Sequence, residues 1–176
     1  SGMCGTIALR RDGELLAERE LEQSRRRHAQ TLISEVKELL DAHGLISADV
    51  DIAAVSHGPG SFTGLRVGIV FAKTFAYVTG SRIVAVNTLQ AIAESVTSEA
   101  SPEINRLHVV SDAQREQLFM SDFSRTDTGF WESSGPINIV DCDQWLKSAA
   151  DQASSAFATV GPGLTKLVDD LPESIG

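Results

Sequence analysis

The sequence predicts an α/β protein built on a duplicated unit, in which mixed sheets carry flanking helices. Three observations lead there. First, the short apolar run Ile52-Ala53-Ala54-Val55-Ser56 passes through His57-Gly58-Pro59-Gly60 into a long apolar segment, Leu65 to Val78, closed by Gly80. That order is a buried strand, a tight glycine turn and a helix. Second, residues with strand character bounded by turn signals occur in both halves of the chain. Third, Ala158-Thr159-Val160-Gly161-Pro162-Gly163-Leu164 echoes Ala54 to Gly60. A strand, Gly-Pro-Gly, helix order that occurs twice, with hairpin strands ahead of each copy, indicates a repeated unit.

Taken in order, Thr6 to Leu9 and Glu14 to Arg19 flank Arg11-Asp12-Gly13, and Asp-Gly is a strong hairpin turn signal. From Arg26 to Ala42, the residues Ala29, Leu32, Ile33, Val36, Leu39 and Leu40 follow helical spacing, stopped by Gly44. After the central strand, turn and helix (Thr63 to Thr79) comes a strand from Ile83 to Val86. A helix runs from Thr88, as capping residue, to about Glu99. Ser101-Pro102 marks the lobe boundary, giving residues 1–100 and 101–176. In the second lobe Leu107 to Ser111 and Leu118 to Phe123 read as paired strands and Gly135 to Val140 as a third. Asp141 caps a short helix carrying Trp145 and Leu146.

Bulk properties narrow the function classes. The 176 residues are 42% hydrophobic, and no apolar run reaches the ~18 residues needed to span a bilayer. Cys4 and Cys142 have no ligand or redox spacing, which points to a reduced, cytoplasmic setting. The net charge is −9, and residues 89–176 hold five Lys and Arg against fourteen Asp and Glu. Direct nucleic-acid binding by that half is disfavoured, because phosphate neutralisation needs clustered cations. Arg25-Arg26-Arg27 is the one basic cluster, and it reads as a solvated helix start.

The glycine turn has two readings. Gly58 and Gly60 can take positive φ, Pro59 fixes its own φ, and Ser61 or Thr63 can cap the following helix, so the turn is a candidate anion site. It lacks the Gly-Lys-Ser/Thr ending of a P-loop, and Thr63 stands where a dinucleotide fingerprint has its third glycine. The other reading is a rigid turn that sets the helix close to the sheet. Within that helix Gly64, Gly68, Ala72 and Ala76 make a narrow stripe, while Leu65, Val67, Ile69, Phe71 and Phe75 cover neighbouring faces. A helix apolar nearly all round needs cover on both sides.

The string Gly58-Pro59-Gly60-Ser61-Phe62-Thr63-Gly64-Leu65-Arg66, with Val55 to His57 before it and Ile83 to Leu89 after it, resembles the bacterial tRNA threonylcarbamoyladenosine biosynthesis family TsaB (YeaZ). That family is related to the glycoprotease-like TsaD. The resemblance implies two ribonuclease-H-like lobes of the actin and hexokinase kind (the ASKHA fold). It also implies a strand ahead of Ser1 and a further helical segment after Gly176, so that both ends are shortened relative to the family. TsaD carries a metal-binding His-x-x-x-His pair where this chain has Thr88 and Ile92, neither of which offers an imidazole. His28, His43, His57 and His108 supply no substitute pair, and Asp112 reads as a turn cap with no second carboxylate beside it.

The family likeness therefore implies a non-catalytic scaffold with no cofactor of its own, ATP and metal being held by partner subunits. Those partners are a TsaD-type catalytic subunit and a TsaE-type ATPase. The scaffold would support threonylcarbamoylation of adenosine 37 in tRNAs reading codons that start with A, touching tRNA only indirectly. Contact is expected through the first two helices, on Ala29, Leu32, Ile33, Val36, Leu40, Gly64, Leu65, Gly68, Ile69, Ala72 and Phe75, with a homodimer through the same face when the partner is absent. A glycoprotease-like peptidase and a nucleotide- or phosphate-binding module are the alternatives.

Overall fold

The computed structural model describes residues 5–21, 28–97, 103–152 and 157–167. They form two compact units that divide at Val86/Asn87, with Gly58–Gly60 grouped with the second. In the first unit β1 (Gly5–Arg11) and β2 (Glu14–Leu21) pair antiparallel, turning through Asp12 and Gly13 with φ of 51° and 87°. Two successive positive φ values are what the Asp-Gly signal supplies. Helix α1 (His28–Asp41) buries Leu32, Leu39 and Leu40, one stripe at helical spacing. Arg19 of β2 reaches Glu35 and Glu38 of α1 at 3.3 and 3.5 Å, tying the hairpin to the helix.

Strand β3 (Ile52–Gly58) then enters α2 (Phe62–Thr79), and β4 (Arg82–Asn87) returns to pair with β3. Ser61 caps α2 by accepting the Gly64 N–H at 3.4 Å, and Gly80 ends it with φ 77° and its N–H on Ala76 O at 2.9 Å. A left-handed residue at this position costs glycine nothing, which is why the helix stops there. Inside α2 the buried residues are Ala72 and Ala76.

The second unit is a five-stranded sheet in which β5 (Arg106–Gln114) pairs antiparallel with β6 (Gln117–Arg125) and parallel with β9 (Phe157–Val160). Strands β7 (Trp131–Ser133) and β8 (Asn138–Asp141) both pair with β6. Strand periodicity sends alternate side chains to opposite faces, and each face has its own core. Leu107, Val109, Phe123 and Trp131 pack with Leu89 and Ala93 of α3 (Thr88–Glu94). Val110 and Leu118 pack with Leu167 and with Trp145 of α4 (Cys142–Gln152). After β9, Gly161 has φ 124°, and a Cβ there would lie 2.1 Å from the carbonyl oxygen of Val110. At Gly163 it would meet the Ser111 nitrogen at 3.1 Å. These glycines let two backbones touch.

Several expectations change. The fold is mixed α/β, but it does not present two alike lobes. The first unit holds two separate two-stranded ladders, the second one five-stranded sheet. The second Gly-Pro-Gly opens a single tight helical turn, Pro162–Lys166, where the first opens an 18-residue helix. The cap of α3 is Asn87, whose Oδ1 accepts from Leu89 and Gln90 N–H at 2.8 and 3.2 Å; Thr88 is the first helical residue. That helix ends at Glu94, short of Glu99, which lies outside the described residues. Helix α4 does start directly after Asp141, the expected capping position, and the Asp141 carboxylate also accepts from Gln117 Nε2 at 3.1 Å. Strand β7 went unread because Trp131 sits beside Gly129 and Phe130 without an alternating run.

Candidate partner-binding face

Two helices of the first unit carry the residues singled out above. On α1, Leu32 and Leu40 are buried while Ile33 is 60% exposed, with Val36 between them in both position and burial. The side chain of Ala29 lies outside the described residues. Between the helices runs an apolar groove of about 320 Å³, lined by Ile33, Val36, Leu40, Ile46, Phe71 and Phe75. Lys37 and Asp41 line it too and pair with each other four residues apart. The hydrogen bond to the Asp41 carboxylate, followed by its charge, raises the Lys37 ammonium above the usual lysine range.

On α2 the small-residue stripe turns inward. A Cβ at Gly68 would meet Val55 of β3 at 3.6 Å, and Ala72 is buried. Leu65, Ile69 and Phe75 are half-buried, and only Gly64 of that set is exposed, where a Cβ would meet no more than Ser61. The opposite arc carries Phe62, Arg66, Val70, Lys73 and Tyr77, all exposed. This outer arc escaped the sequence reading, which scored apolar residues for the helix as a whole; Tyr77 and Val70 at helical spacing from Phe62 were the available signal.

The glycine turn and the histidines offer less. Gly58 takes φ 110° and is joined to Pro59 by a cis peptide bond, and the Ser61 hydroxyl is already engaged with the helix it caps. His57 stands exposed at the end of β3. Asp112 accepts the Gln114 N–H at 2.7 Å in a hairpin where Gln114, Arg115 and Glu116 all have positive φ, which is turn-capping work. His108 on β5 lies across from Asp122 on β6, Nε2 to Oδ1 2.7 Å. Burial lowers its pKa, Asp122 opposes that, and Arg106 adds to it. Among the described residues no three His, Cys, Asp or Glu side chains come together to hold a metal, and no helix is long and apolar enough to cross a membrane.

Comparison with known proteins adds the lineage. Residues 14–140 match the family model for TsaD, tRNA N6-adenosine threonylcarbamoyltransferase. The chain belongs to that family. Within it, the likeness is to TsaB/YeaZ members: the TsaB protein of Escherichia coli is 27% identical over 90% of this chain, and the Bacillus subtilis one 28% over 80%. The chain spans 66% and 59% of the length of those two relatives. A crystal structure of a Pseudomonas aeruginosa protein described as similar to peptidase YEAZ superposes with TM-score 0.73 at 25% identity, covering 97% of this chain and 76% of that one. Thr88 is buried at the start of α3, and Ile92 packs, partly buried, against the core of the second unit.

Proposed function

We propose that this chain is a non-catalytic partner subunit for formation of N6-threonylcarbamoyladenosine at position 37 of tRNAs reading codons that start with A. It acts in the cytoplasm by binding a TsaD-type catalytic subunit, with a TsaE-type ATPase completing the assembly. The observation that carries this reading is the open apolar surface of α1 and α2, on which Ile33, Phe62, Val70, Tyr77 and Val78 are all more than half exposed. Large exposed apolar patches mark interaction sites in proteins that are otherwise well packed. The membership in the TsaD family supports the process, and the buried Thr88 and the partly buried, ligand-incapable Ile92 support the absence of catalysis. Co-expression with the TsaD- and TsaE-type subunits of the same genome tests it. The expected result is a co-purifying complex that modifies tRNA in vitro, no modification when this chain is omitted, and none by this chain alone. Full modification without it would overturn the reading.

A further inference from the structure

On one side the sheet of the second unit ends in two short strands, β7 and β8, and an edge strand presents backbone groups that another chain can pair with. Strand β8 is four residues long with Pro136 close ahead of it, which limits what it offers. Strand β7 has no such proline and stands beside Phe130, which is 65% exposed. The ladder fixes which of its groups point outward. Thr126 N–H donates to Phe130 O and Ser134 N–H to Asp122 O, both at 2.8 Å, with Trp131 opposite Arg125 and Ser133 opposite Phe123. Hydrogen-bonded and non-bonded pairs alternate along an antiparallel ladder, so Trp131 and Ser133 turn their N–H and C=O away from β6.

Both outward groups of Trp131 are taken, and by side chains of a single helix. Glu94 Oε1 accepts the Trp131 N–H at 3.1 Å, and Gln90 Nε2 donates to Trp131 O at 2.6 Å. Gln90 Nε2 also donates to Glu94 Oε1 at 2.9 Å, closing a ring of three bonds. Four residues apart on α3, the two side chains present one donor and one acceptor, the pair that a residue of an adjoining strand would present. The indole is held as well: its Nε1 donates to Val96 O at 2.9 Å, and the Arg125 guanidinium lies 4.5 Å from the ring centroid. Neither side chain fills the core, since Glu94 is exposed and Gln90 half-buried while Leu89 and Ala93 of the same helix supply the packing. We infer that Gln90 and Glu94 together stand in for a neighbouring strand and close the β7 edge against pairing with another copy of the chain.

The test compares the full chain with Gln90→Glu, Glu94→Ala and Glu94→Gln variants by amide exchange and sedimentation. Gln90→Glu exchanges the donor for a carboxylate that faces the Trp131 carbonyl and Glu94, Glu94→Ala removes the acceptor, and Glu94→Gln keeps an acceptor oxygen for the Trp131 N–H. In the first two the Trp131 amide should exchange roughly three- to tenfold faster in dilute solution. At higher concentration both should sediment heavier than wild type while the Ser133 amide gains protection. Glu94→Gln should match wild type in each respect, and tryptophan emission checks that Trp131 and Trp145 remain in a folded core. Wild-type exchange and wild-type mass in Gln90→Glu and Glu94→Ala would overturn the inference. Faster exchange without association would overturn it too, and so would association that leaves Ser133 unprotected, because another surface would then be responsible. Equal losses in Glu94→Gln and Glu94→Ala would assign the pair to the stability of α3 instead of to edge closure.

Discussion

At the scale of single residues, the glycines separate by what a side chain would strike. Gly161 holds φ 124° with its Cβ position 2.1 Å from a backbone oxygen, so Gly161→Ala combines backbone strain with an unavoidable clash. The expected loss is roughly 2–4 kcal/mol, read as a lower urea midpoint at unchanged m-value. Gly64 is helical and exposed, with only Ser61 within 4 Å, and Gly64→Ala should be neutral or gain up to ~1 kcal/mol from helix propensity. His108 makes a third case. Its pKa is lowered in the fold, so on acidification the unfolded chain takes up the proton first, beginning near the ordinary histidine value of ~6.5. The contribution of neutral His108 is therefore fully present above that value and is lost as pH falls through it towards the folded pKa. Melting temperature should decline across that acid window in wild type and decline less in His108→Gln.

Elements show where the sequence was legible. Strongly periodic α1, the Asp-Gly hairpin and the Gly80 stop all stand close to where spacing put them, because each signal is local and names its own geometry. Orientation was not legible: a helix apolar nearly all round gives no direction, and the packing of Val55 beside Gly68 together with the burial of Ala72 and Ala76 shows which arc faces inward. Gly68→Leu consequently reports on the junction of α2 with β3. It should cost ~1–3 kcal/mol of stability by overpacking, the loss appearing in thermal melts before any change in partner binding. The cap of α3 was missed by one residue because Asn87 and Thr88 are both good capping types, and only the two hydrogen bonds to Asn87 Oδ1 decide between them. Asn87→Ala should lower stability by about 1 kcal/mol, measurable by denaturant titration, whereas Thr88 would not show this capping loss.

For the whole molecule, the two units differ in how completely they are packed. Both clusters of fully buried apolar side chains among the described residues lie in the second, around β5 and β6. In the first, β3 and β4 read as apolar on both faces, yet Ile52, Ile83 and Val84 are 44–46% exposed. Isolated two-stranded ladders are marginal without further cover. Amide exchange should therefore be slowest in residues 107–110 and 118–123 and faster throughout β1 to β4, with protection of α1 and α2 rising when the TsaD-type subunit is added. Uniform protection across both units in the isolated chain would contradict this.

The aromatic residues are distributed so that light can tell the units apart. The chain has two tryptophans, and both are in the second unit, Trp131 at 3% and Trp145 at 2% exposure. Its single tyrosine, Tyr77, is 90% exposed on α2 of the first. Tryptophan emission thus follows the unfolding of one unit and tyrosine emission the environment of the other, with no label attached. Acrylamide should quench the tyrosine freely and the tryptophans hardly at all, and a subunit that covers α2 should shield the tyrosine while leaving the tryptophan spectrum where it was.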